Sequence, residues 1–266
     1  MPSISAESPY SAKLWSKVPL ITAAFWIIKV MATTVGETGA DLLSSRLGLG
    51  LTITSWVMTA VFLIFLLLQL RARTYIPTLY WLTVVLISVV GTLISDNLVD
   101  GMGIQLQTTT IVFGIILAIV FAVWYNSEGT LSIHSIHTRR RELFYWAAIL
   151  FTFALGTSAG DLVAEGFDLG YGLAAVIFGG LIGVVAIAYY SFEVNAILCF
   201  WIAYVLTRPL GASIGDLLAK PHIAGGLGWG TVTTSIAFVA VISGLVVYLT
   251  ATRVDSEDEH AVNQTN

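Results

Sequence analysis

An aromatic–tryptophan pair, then a glycine, then an aspartate recurs four times at one spacing, and no other feature limits the fold of this chain as tightly. The pairs are Phe25-Trp26, Tyr80-Trp81, Tyr145-Trp146 and Phe200-Trp201. Eleven residues beyond each first aromatic stands Gly36, Gly91, Gly156 or Gly211, and sixteen beyond it Asp41, Asp96, Asp161 or Asp216. The copies lie 55, 65 and 55 residues apart, with no gap inside the motif. A period of this length marks one supersecondary unit stacked on copies of itself. The ten extra residues fall around Ser127 to Arg140, so the chain reads as two halves of two units each.

Hydropathy says what each unit is. Only 11% of residues are charged, 57% are hydrophobic and the mean hydropathy is +0.87. A soluble domain carries roughly 25% charge, so this chain lacks the polar surface that water requires. Eight apolar segments run roughly Leu20–Leu43, Thr52–Leu70, Pro77–Val99, Thr108–Trp124, Leu143–Val163, Gly172–Tyr190, Ala196–Leu218 and Gly230–Leu249. Each suits a membrane span of about 20 residues, and hydrocarbon leaves the helix as the spanning form for such segments. The expected fold is therefore all-α: a polytopic integral membrane protein of about eight transmembrane helices, arranged as four tandem two-helix repeats. The repeats are placed at 20–75, 76–130, 142–195 and 196–250, between a cytoplasmic segment 1–19 and an acidic, disordered tail 251–266.

Charge supplies the orientation. Lys13, Lys17, Arg71, Arg73, Arg139, Arg140, Arg141 and Arg253 fall on the side shared by both termini, whereas the opposite loops hold Arg46 and Lys220. By the positive-inside rule both termini face the cytoplasm of a bacterial plasma membrane. The first apolar segment is too long for a signal-peptide core and reads as an uncleaved span. The net charge of −4 derives partly from the tail acids Asp255, Glu257, Asp258 and Glu259, and points to no nucleic-acid partner. Cys199, the single cysteine, lies in an apolar stretch and reads as packing.

The tryptophans Trp26, Trp81, Trp146 and Trp201, with the segments Gly36-Glu37-Thr38-Gly39-Ala40-Asp41 and Gly156-Thr157-Ser158-Ala159-Gly160-Asp161, carry a resemblance to a known family. The chain resembles the bacterial membrane proteins built from four tandem repeats of unknown function, each with two transmembrane regions and a recurring tryptophan. The resemblance runs from about Leu20 to Leu249 and is looser in the second and fourth repeats. It implies the fold and leaves the function to be read from the residues.

The aromatic pairs suit interfacial anchors, and the glycines suit close helix contact or a helix break. A straight helix places each aspartate about 24 Å beyond its aromatic pair, near the far boundary of the hydrocarbon. Two roles fit the aspartates: caps of short helices, or a ring of carboxylates around an aqueous pathway. Further acids stand one turn away. Glu37 precedes Asp41, Asp100 follows Asp96, Glu165 follows Asp161, and Lys220 takes that place after Asp216. Glu37 is the sole acid at its position, where the other repeats have Thr92, Thr157 and Ala212, so symmetric packing does not call for it. Lys29, deep in the first span, needs a carboxylate partner or a route by which its ammonium can reach the interface. Arg208, at the position of Thr33 and followed by Pro209, is expected to interrupt the seventh span. Lys29, Arg208, Asp100 and Glu165 are candidate charge partners or gating residues.

Carboxylates among hydroxyls make a hard, oxygen-rich environment, suited to magnesium, calcium, manganese or protons. Glu37, Asp41, Asp96, Asp161 and Asp216 are the candidate cation ligands. The spans contain no histidine, and His134, His137 and His222 lie in loops, which disfavours zinc and copper. No nucleotide-binding motif, catalytic nucleophile–base arrangement or cofactor signature is present. The chain is thus expected to be a secondary transporter of a hard cation, manganese-type or proton-coupled, and not an enzyme. The alternatives are a structural or signalling membrane component whose basic Thr138–Arg141 stretch meets lipid headgroups, and an intramembrane hydrolase.

Overall fold

The computed structural model describes residues 16–256, so Lys13 and the tail acids Glu257, Asp258 and Glu259 lie outside the described residues. Eight α-helices dominate: α1 (Ala23–Asp41), α2 (Gly50–Arg71), α3 (Pro77–Asp96), α4 (Leu106–Glu128), α5 (Arg139–Asp161), α6 (Gly170–Phe192), α7 (Ala196–Ala219) and α8 (Thr231–Thr252). The seven from α2 to α8 are long and apolar enough to cross a membrane. The α1 helix, diluted by Lys29, Glu37 and three threonines, is held by the helices around it.

Each odd-numbered helix starts on a local signal. Thr22 accepts from the Phe25 amide, Thr138 from the Arg141 amide, and Asn195 from the Ile197 and Leu198 amides, while α3 opens on Pro77. Ser/Thr/Asn side chains and an N1 proline satisfy or remove the amides that a first helical turn leaves unpaired.

The odd helices form a closed ring, α1 against α3, α3 against α5, α5 against α7, and α7 back against α1. The glycines make this approach possible. A Cβ at Gly36 would fall on Ser88, at Gly91 on Phe153, at Gly156 on Arg208 and at Gly211 on Thr33. Each glycine therefore meets the residue three places before the glycine of the next repeat, and the fourth meets the first. The even helices form an outer layer displaced by one repeat: α2 packs on α3, α4 on α5, α6 on α7 and α8 on α1. Their outer faces expose Ile64, Ile115, Val184 and Val247, as a surface turned to hydrocarbon does.

In the first three repeats the aspartate is the last α-helical residue, followed by a π-helical turn: Leu42–Arg46, Asn97–Gly101 and Leu162–Gly166. The fourth repeat has no such turn, and α7 continues regularly past Asp216. It also continues past Pro209, against the expected interruption. A proline removes one backbone donor, and packing of α7 against α1 and α5 holds both halves in line.

The end near the termini is closed by polar contacts. Buried Lys17 pairs with buried Glu142 at 2.8 Å, and Gln69 Nε2 donates to Glu142 Oε1 at 3.4 Å. Asp255, counted with the tail, is buried: its Oδ2 accepts from the Tyr75 hydroxyl at 2.6 Å and its carbonyl from the Leu20 amide at 2.9 Å.

Candidate functional site

Equivalent positions of α1, α3, α5 and α7, taken every four residues, stack into layers about the ring axis. The first layer holds Phe25, Tyr80, Tyr145 and Phe200, and each first aromatic packs on the tryptophan of the next repeat. Ring centroids lie 5.6 Å apart for Phe25–Trp81, 5.7 Å for Tyr80–Trp146 and 6.2 Å for Tyr145–Trp201. Phe200–Trp26, at 5.7 Å, closes the circle. Trp81, Trp146 and Trp201 are buried, so the interfacial-anchor reading fails for these three, whereas Trp26 is half-buried. Depth along a helix is visible in the sequence, but the direction a side chain faces around the helix is set by packing.

One turn further stand Lys29, Val84, Ile149 and Tyr204, all fully buried. Lys29 neither pairs with a carboxylate nor reaches the interface. Its Nζ has no hydrogen-bond partner and sits 4.2 Å from the ring centroids of both Phe153 and Tyr204. These are cation–π distances for an ammonium. The next layer, Thr33, Ser88, Phe153 and Arg208, is also fully buried.

Arg208 crosses the axis. Its Nη2 donates to Glu37 Oε2 at 2.9 Å, to Thr157 Oγ1 at 2.6 Å and to Thr92 Oγ1, while Nη1 donates to the Thr33 carbonyl at 3.4 Å. One side chain of α7 thus touches all three of the other inner helices. Thr92 Oγ1 also donates to Glu37 Oε2 at 3.4 Å. Symmetric packing does not call for Glu37, but an asymmetric contact does: it is the counter-charge of a fully buried arginine. Two of the residues that break repeat symmetry, Glu37 and Arg208, are each other's partners, because α7 and α1 are neighbours once the ring closes.

Beyond this lock lie the aspartates. Glu37, Asp161 and Asp216 each offer a carboxylate oxygen within 4.8 Å of the others, and among the described residues this is where three acidic side chains gather so closely. Asp41 and Asp96 stand around that triad, and Glu37 is within electrostatic range of all four aspartates. Asp41, Asp96 and Asp161 lead into the π-turns without capping them by a side-chain hydrogen bond.

The rim is asymmetric. Lys220 Nζ lies 3.0 Å from Glu165 Oε1 and 3.4 Å from Asp216 Oδ2, and it donates to the Tyr171 hydroxyl at 2.9 Å. Tyr171 in turn donates to Glu165 Oε1 at 2.7 Å. Burial favours a neutral Lys220 amine, but Asp216, Tyr171 and Glu165 outweigh it and hold the ammonium above the usual lysine range. Asp100 is exposed at the same end. Among the loop histidines, His222 Nδ1 lies 3.0 Å from the Gly226 carbonyl and His134 is exposed. Sequence reasoning missed Glu142 and Gln69 at the other end, because nothing in an Arg-Arg-Arg-Glu run says which charge turns inward.

A closed ring of four repeated inner helices under an apolar outer layer defines a polytopic helical membrane protein of internal repeats. The chain belongs to the family described as Repeat of Unknown Function (DUF347), whose model matches residues 24–75, 79–130, 144–195 and 199–255. No curated protein and no solved structure matches it.

Proposed function

We propose that the protein is a secondary transporter of a hard divalent cation, manganese-type, in a bacterial plasma membrane with both termini cytoplasmic. The observation that carries this reading is the Glu37–Asp161–Asp216 triad, drawn from α1, α5 and α7 at one end of the ring. A cation with oxygen ligands at about 2.1–2.5 Å spans ligand separations up to about 4–5 Å, the scale of this cluster. Carboxylates so enclosed are costly and characteristically serve ion pathways. Asp41 and Asp96 extend the negative field around the triad, and the Thr92 and Thr157 hydroxyls add oxygen at its base. Below it, Arg208 and then Lys29 with its two rings occupy the axis, as befits a carrier open at one end at a time. The Lys17–Glu142 contact closes the far end in the same state.

Manganese flux into proteoliposomes, followed with an entrapped indicator, tests the proposal. Wild-type protein is expected to carry manganese, and Asp161→Asn and Asp216→Asn to lose most of the flux while remaining folded. Unchanged flux in both variants would remove the triad from the pathway.

A further inference from the structure

Arg208 and Pro209 belong to the fourth repeat alone, and the proposed transport does not by itself explain them. At the position of Arg208 the other repeats place Thr33, Ser88 and Phe153, and at that of Glu37 they place Thr92, Thr157 and Ala212. The two exceptions meet. The guanidinium is a cation that already occupies Glu37, and the Thr92 and Thr157 hydroxyls accept from the same nitrogen. Glu37 is also one of the three carboxylates of the triad. A substrate cation drawing on Glu37 therefore competes with Arg208 for one carboxylate.

What holds Arg208 also holds α7. Besides the guanidinium contacts, α7 is tied to α1 by Thr33 Oγ1 donating to the Thr207 carbonyl at 3.3 Å and Thr34 Oγ1 to the Gly211 carbonyl at 3.0 Å. Pro209, lying between those two carbonyls, cannot donate a backbone hydrogen bond, so α7 is weakest against bending beside the arginine. Arginine supports such a latch better than lysine, because its planar fork reaches several acceptors at once and keeps its charge when buried.

We infer that Arg208 is a tethered surrogate for the substrate: it sits on Glu37 when the site is empty, and an arriving divalent cation displaces it and frees α7. This deepens the cation-transport reading and rests on it. The side chain sets specificity as well, since an occupant must outcompete a unit charge that is already desolvated and hydrogen-bonded. A divalent ion held by three carboxylates does so where a monovalent ion has half the charge to offer.

The test is manganese binding to purified full-length protein by titration calorimetry, with hydrogen exchange of Ala196–Ala219 measured in parallel. Removing the internal competitor in Arg208→Gln is expected to tighten manganese binding by about tenfold or more, whereas mere structural damage would weaken it. In wild type, manganese should accelerate exchange in α7; in Arg208→Gln the exchange should be fast already and change little. Arg208→Lys, which keeps the charge but cannot span the same acceptors, should fall between the two and serves if the glutamine variant does not fold. Equal or weaker binding by the folded variants overturns the surrogate while leaving the cation site in place. Manganese binding by neither wild type nor variants overturns the cation reading, and the surrogate with it.

Discussion

Gly91 and Gly183 both lie inside apolar helices, yet they differ in what surrounds them. A Cβ at Gly91 would overlap the Phe153 side chain and crowd the Ala154 backbone, whereas nothing lies within 4 Å of one at Gly183. Gly91→Ala is therefore expected to destabilise the protein by about 1–3 kcal/mol. Gly183→Ala should be neutral or stabilise by about 0.5–1 kcal/mol through helix propensity. Thermal unfolding in detergent separates the two, and similar melting temperatures for both variants would contradict the ring. Glu37→Gln should abolish manganese binding at a moderate stability cost of about 1–3 kcal/mol, because the amide oxygen still accepts from Arg208. Retained binding in calorimetry would exclude Glu37 as a ligand. Asp168 is exposed with φ +56°, at the place where the first two repeats have Gly48 and Gly103 with φ +70°. Asp168→Asn should keep both fold and flux, since asparagine tolerates this left-handed geometry, while Asp168→Val should cost about 1–2 kcal/mol in the same melts.

Among the elements, α7 departs furthest from its repeats: it alone lacks the π-turn after the motif aspartate and it alone carries an internal proline. The π-turns of the other three repeats widen the chain immediately past Asp41, Asp96 and Asp161, a distortion found preferentially at functional sites. The chain end after α8 is also a structural element. Burial, opposed by the Tyr75 hydrogen bond, leaves the Asp255 carboxyl above its ordinary value near 3.8. A raised folded value means that the docked end binds protons more tightly than the free one. Its contribution is complete below the ordinary value and declines as pH rises through the raised one. Protease cleavage after Arg253 is thus expected to speed up as pH rises above about 4, and less so in Asp255→Asn. Identical pH dependence in variant and wild type would assign the effect elsewhere.

For the molecule as a whole, the decisive property is that the fourth repeat closes on the first. Ser235 of α8 donates to Thr38 of α1 at 2.7 Å, so cysteines at those places would face each other across the α1–α8 contact. Thr38→Cys/Ser235→Cys, made with Cys199→Ala, should cross-link under mild oxidation and show faster gel migration; failure of a well-expressed pair to cross-link would argue for an open array. The helices, their number and the repeat follow from the order of residues alone, because hydrocarbon demands long apolar runs and a two-helix unit must stack on its copies. That order also singled out Glu37, Arg208 and the four aspartates, since ionisable residues stand out against an apolar background. It took packing to turn Trp81, Trp146 and Trp201 inward and to rest Lys29 on two rings without a hydrogen-bond partner. The same holds for the distinction between the triad and its two outlying aspartates. Packing also decided that residues 171 positions apart, Glu37 and Arg208, share a hydrogen bond. A repeat period gives the step from one unit to the next, but the angle of that step, which determines whether four units close into a ring, is set by how near the glycines let the helices come.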